Sequence, residues 1–247
     1  MEVAPHVRRI GTGAVNVYLV EEGGEVAIVD AGLPGQWDDL SDELAAMGRT
    51  LADVRSVLLT HGHSDHIGFA ERMRSERHVP VWIHEADAAL ARGEVPNPAR
   101  GTGPIRPLPL LAFLWLGLRK GGLKRPVVRE VSTYGDGATL DAPGSPRVTL
   151  TPGHTPGSAV LHSEAYEVAF VGDAFATLAV TTGERGPRVA PFTADAEQAI
   201  DSLSRIERLP AKVALPGHGD PWTQGLEAAV SEVRRRGVPG RRGTPRG

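Results

Sequence analysis

The sequence predicts a layered α/β (α+β) fold, with two sheets packed on each other and helices covering both outer faces. Three observations predict it. Each half of the chain opens on short apolar strand patterns. Helical patterns lie between those strands and after them. Four strand patterns run straight into polar loops that carry His or Asp, the place where a rigid scaffold displays functional side chains.

The elements follow in order. Residues 16–21 and 25–30 read as strands joined by Gly23-Gly24, a hairpin signal. A helix is expected over 36–47, where Leu40, Leu44 and Met47 share a face. VRSVLLT, 54–60, reads as a buried strand, followed by the polar loop HGHSDH and a helix over 66–75. A strand over 79–84 and a helix over 85–91 come next. Residues 93–130 are rich in Gly and Pro, hold the apolar run PLLAFLWLGL, and end in Arg119, Lys120, Lys124 and Arg125. They read as a lid-like insertion over the body. Further strands are expected over 147–151, 158–162, 168–172 and 212–215, with helices over 193–208 and 224–236. The expected organisation is a single domain over 1–236 and a mobile Arg/Gly-rich tail over 237–247.

Composition bounds the class. Hydrophobic residues form 40% of the 247, enough for a sizeable core. The net charge of −3 hides an asymmetry: residues 234–247 hold six Arg and no acid, so the rest carries 21 basic against 30 acidic residues. Such a body argues against a nucleic-acid partner. With no Cys there is no disulfide, thiolate nucleophile or thiolate ligand. The N-terminus lacks a signal-like apolar core, and the apolar run 108–118 is too short to span a bilayer. A cytoplasmic protein without a membrane partner is expected, as a monomer or homodimer.

The chemistry is carried by loops at strand ends. In an extended segment residues two apart point the same way, so His61 and His63 can face one metal ion together. Asp65 and His66 lie where the chain turns, able to reach a second point nearby. His154 sits in PGHTPG, Asp173 ends VAFVGD, and His218 sits in PGHG. Imidazole and carboxylate suit zinc, and one carboxylate can bridge two cations.

These residues resemble a known family. THGHSDH looks like the HxHxDH signature of the metallo-β-lactamase superfamily, and TPGHTPGS, VGDAF and PGHGD continue the resemblance in the family's order, over about residues 13–222. The resemblance implies a four-layer αββα sandwich with the metal site at one edge of the sheets. It assigns His61, His63 and His154 to a first ion, Asp65, His66 and His218 to a second, and Asp173 to both. The ions expected are two Zn²⁺, with Mn²⁺ or Fe²⁺ also admissible. Two such ions lower the pKa of a shared water to about 7 or below, and the bridging hydroxide attacks an acyl carbonyl, with Asp65 orienting it. The implied reaction is hydrolysis of an ester, thioester or lactone bond in a small acyl substrate.

Within the family, the ligand set is similar to the glyoxalase II and lactonase-like branch. Ala176 stands where lactonases place Tyr, and only 29 residues follow His218, too few for the glutathione-binding extension of glyoxalase II. The absence of Cys argues against the β-lactamases that use a Cys ligand, and His63 argues against the di-iron redox branch. The alternatives are a β-lactam hydrolase, an iron-dependent sulfur dioxygenase-like enzyme, and a non-catalytic protein on the same fold.

Several residues have plainer readings. Asp65 could cap a helix, and Asp173 a strand end. Asp30, in VAIVDAG, is as well read as a turn residue as a support for a ligand. His6, His78, His84 and His162 lack ligand partners at suitable spacing. The run 108–118 is open to three readings: core, the wall of a substrate lid, or a dimer contact.

Overall fold

The computed structural model describes residues 1–99, 103–122 and 125–240. The larger sheet takes β1 (Glu2–Ala4), β2 (Val7–Ile10), β3 (Val17–Glu22), β4 (Glu25–Val29), β5 (Val54–Leu58), β6 (Val81–His84) and β7 (Ser132–Tyr134), side by side in sequence order. β1 to β4 are antiparallel and β4 to β7 parallel. The second sheet takes β8 (Arg147–Leu150), β9 (Ala159–Ser163), β10 (Val168–Gly172) and β13 (Val213–Pro216), ordered β13-β10-β9-β8. A small ribbon pairs β11 (Ala176–Leu178) with β12 (Arg185–Arg188).

The two-residue period of the strands builds three apolar layers. On β3, Val17 and Leu19 face an outer core shared with α1 (Trp37–Ala46), α2 (Ala70–Arg77) and α3 (Ala88–Ala91), through Leu40, Met73 and Ala88. Tyr18 and Val20 point the other way, into the core between the sheets, where they meet Val148, Leu161, Phe170 and Leu215. On the far side, Val160, Ala169 and Val171 pack against Leu226, Val230 and Val233 of α6 (Leu226–Arg236), close to α5 (Ala196–Ser202). Three cores between four layers make the αββα sandwich. Each fully buried Leu or Phe contributes about 2–3 kcal/mol of transfer free energy.

The structure corrects several expectations. The helix after the HGHSDH loop starts at Ala70, not His66, because residues 64–69 form turns: His66 N–H donates to the His63 carbonyl at 3.0 Å, and Ala31 N–H to the His66 carbonyl at 2.6 Å. Phe69, not Asp65, occupies the helix N-cap. The helix expected over 193–208 is only α5 and a short 3-10 turn, Leu203–Arg205. The N-terminal pair β1–β2, β7 and the β11–β12 ribbon are additional.

The insertion differs most. Its apolar run forms α4 (Pro107–Arg119), and no residue of α4 is buried. The core reading of 108–118 is therefore wrong. α4 is tied at both ends: Arg106 N–H donates to the Thr181 carbonyl at 2.9 Å, and Gly35 N–H donates to the Lys120 carbonyl at 2.8 Å. Lys120 also pairs with Asp39 at 2.8 Å. Lys124 and residues 241–247 of the tail lie outside the described residues. Among the described residues, no helix is long and apolar enough to cross a membrane.

Candidate metal centre

The parallel strands end at one edge of the sandwich, and every expected ligand is there. His61, His63, Asp65 and His66 follow β5, His154 lies in the β8–β9 loop, Asp173 follows β10, and His218 follows β13. Their ligating atoms gather into three groups, each within 4.8 Å: His61/His63/His154, His61/His66/Asp173 and Asp65/His66/His218. Asp173 joins the two ends, because its Oδ2 lies 3.3 Å from both His154 Nε2 and His218 Nε2. His63 Nδ1 lies 2.8 Å from His154 Nε2.

Four of the five imidazoles are aimed from behind. His61 Nδ1 lies 3.1 Å from Thr60 Oγ1, and His154 Nδ1 lies 2.9 Å from Thr193 Oγ1. His66 Nδ1 lies 2.8 Å from Asp30 Oδ2, and His218 Nδ1 meets the Ala14 carbonyl at 2.5 Å. Such contacts fix ring orientation and tautomer. Asp30 thus holds the ring of His66, a candidate ligand; it also accepts from Thr60 N–H at 2.8 Å. The His218 loop is held by β3 and the residue before it: Asn16 Nδ2 and Tyr18 Oη donate to the Pro216 carbonyl at 2.9 and 2.7 Å. Gly217 lets the cluster close, since a Cβ there would collide with His66 Cε1 and Asp173 Oδ1.

One supporting residue was absent from the sequence expectations. Asp87 is fully buried. Its Oδ2 accepts from Gly62 N–H at 2.8 Å and Thr155 Oγ1–H at 2.7 Å, and its Oδ1 accepts from Gly157 N–H at 2.7 Å. It therefore staples the His61–His63 loop to the His154 loop. The only sequence signal was a carboxylate beside a strand-end His, in HEADA. The other histidines serve elsewhere: His84 Nδ1 accepts from Ala86 N–H, His162 Nε2 faces the Pro210 carbonyl, His78 ends α2 in a left-handed conformation, and His6 pairs with Glu21.

The residues fit a pair of cations. His61 Nε2, His63 Nε2, His66 Nε2 and Asp173 Oδ1 are buried with no hydrogen-bond partner, although an unpaired buried polar atom costs about 1–3 kcal/mol. All but His63 Nε2 point into the cluster from rings whose other nitrogen is already partnered, or from a carboxylate that flanks it. Burial drives His61 well below the usual imidazole range, as do the neighbouring rings His66 and His154. Burial likewise lowers His63, against the pull of Asp65 and Asp173, and lowers His154 to about 3, chiefly against Asp173. His66 behaves oppositely. Burial opposes its protonation, but Asp30 and Asp173 outweigh it and raise the group to about 9. His218 is also raised, by Asp173 and Asp65 against burial. Burial opposes ionisation of Asp65 and Asp173, yet both carboxyls lie below their ordinary range because His218 and the nearby rings outweigh it.

The metallo-beta-lactamase superfamily model matches residues 10–218. The probable metallo-hydrolase YflN of Bacillus subtilis is 27% identical over 250 residues, covering 95% of this chain and 92% of that protein. The metallo-beta-lactamase family protein TTHA1429 of Thermus thermophilus superposes with a TM-score of 0.67 at 26% identity, over 94% of this chain and 79% of that one. The crystal structure of TTHA1623 in a di-iron-bound form gives 0.60 at 28% identity, over 90% and 96% of the two chains.

Proposed function

Because this chain belongs to the metallo-β-lactamase superfamily of metallo-hydrolases, we propose that it is a binuclear hydrolase of an ester, thioester or lactone bond in a small acyl substrate. His61, His63 and His154 would hold one ion and Asp65, His66 and His218 the other, with Asp173 shared. The donor set of imidazoles and carboxylates suits zinc, and manganese or iron fit the same ligands. When bound, such ions supply Lewis acidity and lower the pKa of a coordinated water toward neutrality.

The chain's own residues supply the rest. Asp65 is the most exposed of the seven, at 21% of its side chain, and lies 3.4 Å from His218 Nε2. Its lowered pKa leaves it ionised at neutral pH, a poor store for a proton but a fixed acceptor that orients the attacking water. Asp30 and Thr193 hold the rings of His66 and His154 in place, which keeps the reacting geometry from drifting. The inner side of α4 roofs the site: Phe113 stands edge-on to the His218 ring, with centroids 6.1 Å apart. Leu110 and Leu116 share its face by helical spacing and are half-buried. This apolar ceiling favours a substrate with an apolar acyl portion.

The observation that carries the reading is the convergence of unpartnered buried ligand atoms on one point at the strand ends. The test is turnover of a panel of esters, thioesters, lactones and β-lactams by protein of known metal content. Hydrolysis of acyl esters, thioesters or lactones is expected. Phe113→Ala should raise KM for longer acyl chains by about tenfold, the worth of one lost apolar contact surface. No turnover of any of these by fully metal-loaded protein would overturn the reading, and an unchanged chain-length preference would remove α4 from the pocket.

A further inference from the structure

The outer side of α4 is a second, separate feature. Leu108, Leu111, Trp115 and Leu118 fall on one stripe, opposite Phe113, and are 79%, 60%, 59% and 48% exposed. Leu114 and Ile105 extend the patch. A contiguous apolar surface of this kind, on a helix about 20 Å long, marks an interaction site. The charge is one-sided along this stretch of sequence, although Arg106, Lys120 and Arg129 each reach an acid from elsewhere, Glu184, Asp39 and Glu71. From Val95 to Arg129 the chain holds seven Arg and Lys and no Asp or Glu, within a body that is otherwise acidic. Arg106 stands just before the helix and shares Glu184; Arg119 ends the helix, and Arg125 lies beyond it, neither in an ion pair among the described residues. The C-terminal segment adds to the same side. Pro239 packs on Gly103, and Gly240 lines a pocket with Pro104, so the described end of the chain lies beside the start of the insertion.

We propose that the outer face of α4 docks this protein on an anionic lipid surface, with the helix lying flat in the interface. Leu and Trp side chains enter the headgroup boundary, while arginines at the helix ends meet lipid phosphates. The expectation of no membrane partner rested on the lack of a spanning segment, and an interfacial helix needs none. A second copy of the chain fits the face less well. A two-fold contact of α4 on α4 would set the cations at the helix ends against one another, with the nearby acids Glu184 and Asp39 already paired to Arg106 and Lys120. One face of a 13-residue helix also falls short of the roughly 800 Å² per partner of a stable interface. A lipid surface demands neither complementary shape nor opposed side chains.

The test is sedimentation of the full-length, metal-loaded protein with vesicles of phosphatidylcholine alone or of phosphatidylcholine and phosphatidylglycerol in about a 3:1 ratio. Partitioning at least about tenfold stronger to the anionic vesicles is expected, weakening as salt rises. The double variant Leu111→Glu, Trp115→Glu alters only exposed positions and should reduce that binding by at least about tenfold. Arg119→Glu with Arg125→Glu, which leaves the apolar stripe intact, should also reduce it. Failure of the wild-type protein to sediment with anionic vesicles would overturn the proposal. So would undiminished binding by the Leu111/Trp115 variant, which would hand the attraction to the Arg-rich tail. A dimer in analytical ultracentrifugation that this variant converts to monomer, without vesicle binding, would assign the face to a second copy instead. The readout is binding, so it stands apart from the substrate reading.

Discussion

The two ends of the candidate metal centre are built from similar residues but start in opposite charge states. At the end formed by His61, His63 and His154, burial dominates, and the rings are neutral, as metal ligands must be. At the end formed by Asp65, His66 and His218, carboxylates outweigh burial, and the two imidazoles hold protons at neutral pH in the metal-free chain. One end waits for a cation. The other carries protons in its place, which keeps the buried Asp30 and Asp173 and the half-buried Asp65 in company with positive charge. An ion entering the second end must displace those protons, whereas the first has none to lose.

The largest effect should come from the residue the two ends share. Asp173→Asn leaves a side chain of the same size but removes the charge facing His154 and His218. Both ions should be lost at submicromolar metal, and turnover should fall by about a thousandfold or more, since the hydrolytic water loses its activation. Elemental analysis beside the activity assay checks this; retention of two ions would break the link between the ends.

The supporting carboxylates should separate the ends. Asp87→Asn weakens the staple between the two loops that carry the first three imidazoles. Asp30→Asn removes the charge behind His66. Asp87→Asn should weaken metal binding about 10- to 100-fold at the first end and little at the second, whereas Asp30→Asn should weaken the second end most and reach the first, less strongly, through Thr60 behind His61. Competitive titration against a chelator resolves the two steps, and equal weakening of both steps by either variant would erase the distinction drawn here.

The smallest effect per step is the response to pH. Below neutrality the second step of metal uptake should weaken by about tenfold per pH unit for each proton displaced, while the first stays level until the rings near its own low range. The stability of the metal-free chain carries the same signature. His66, raised to about 9, adds stability that is complete below 6.5 and is lost as pH rises through about 9. His154, lowered to about 3, removes stability as pH falls below 6.5. Lowered Asp65 and Asp173 add stability above 3.8 that is lost as pH falls below it. For these groups the optimum lies near 6.5, with stability declining as pH rises from there toward about 9 and as it falls toward about 3, and thermal melting on both sides of 6.5 reads it.

All seven converging residues were legible in the sequence because each sits in a short loop directly after an apolar strand pattern, with glycines that permit close approach. The four layers were legible for a related reason: two-residue alternation assigns each strand two faces, and two sheets of that kind can only be covered by helices. Asp87 was not legible, because its three donors lie 25, 68 and 70 residues away. The start of α2 was misplaced because residues 64–69 give their backbone groups to Ala31 and to the ligand loop, a demand made from outside the local sequence. The run PLPLLAFLWLGL reads as core for want of any polar stripe to mark an outer side. Its exposure follows from contacts far away in sequence, which tie both ends across the mouth of the site and leave no layer above it among the described residues.

Equilibrium dialysis of the purified chain against Zn²⁺ near pH 8, with bound metal measured per chain, bears most directly on this account. Two ions per chain are predicted, the second departing first as the pH is lowered. A plateau at one ion or none, or two ions released together, would contradict it.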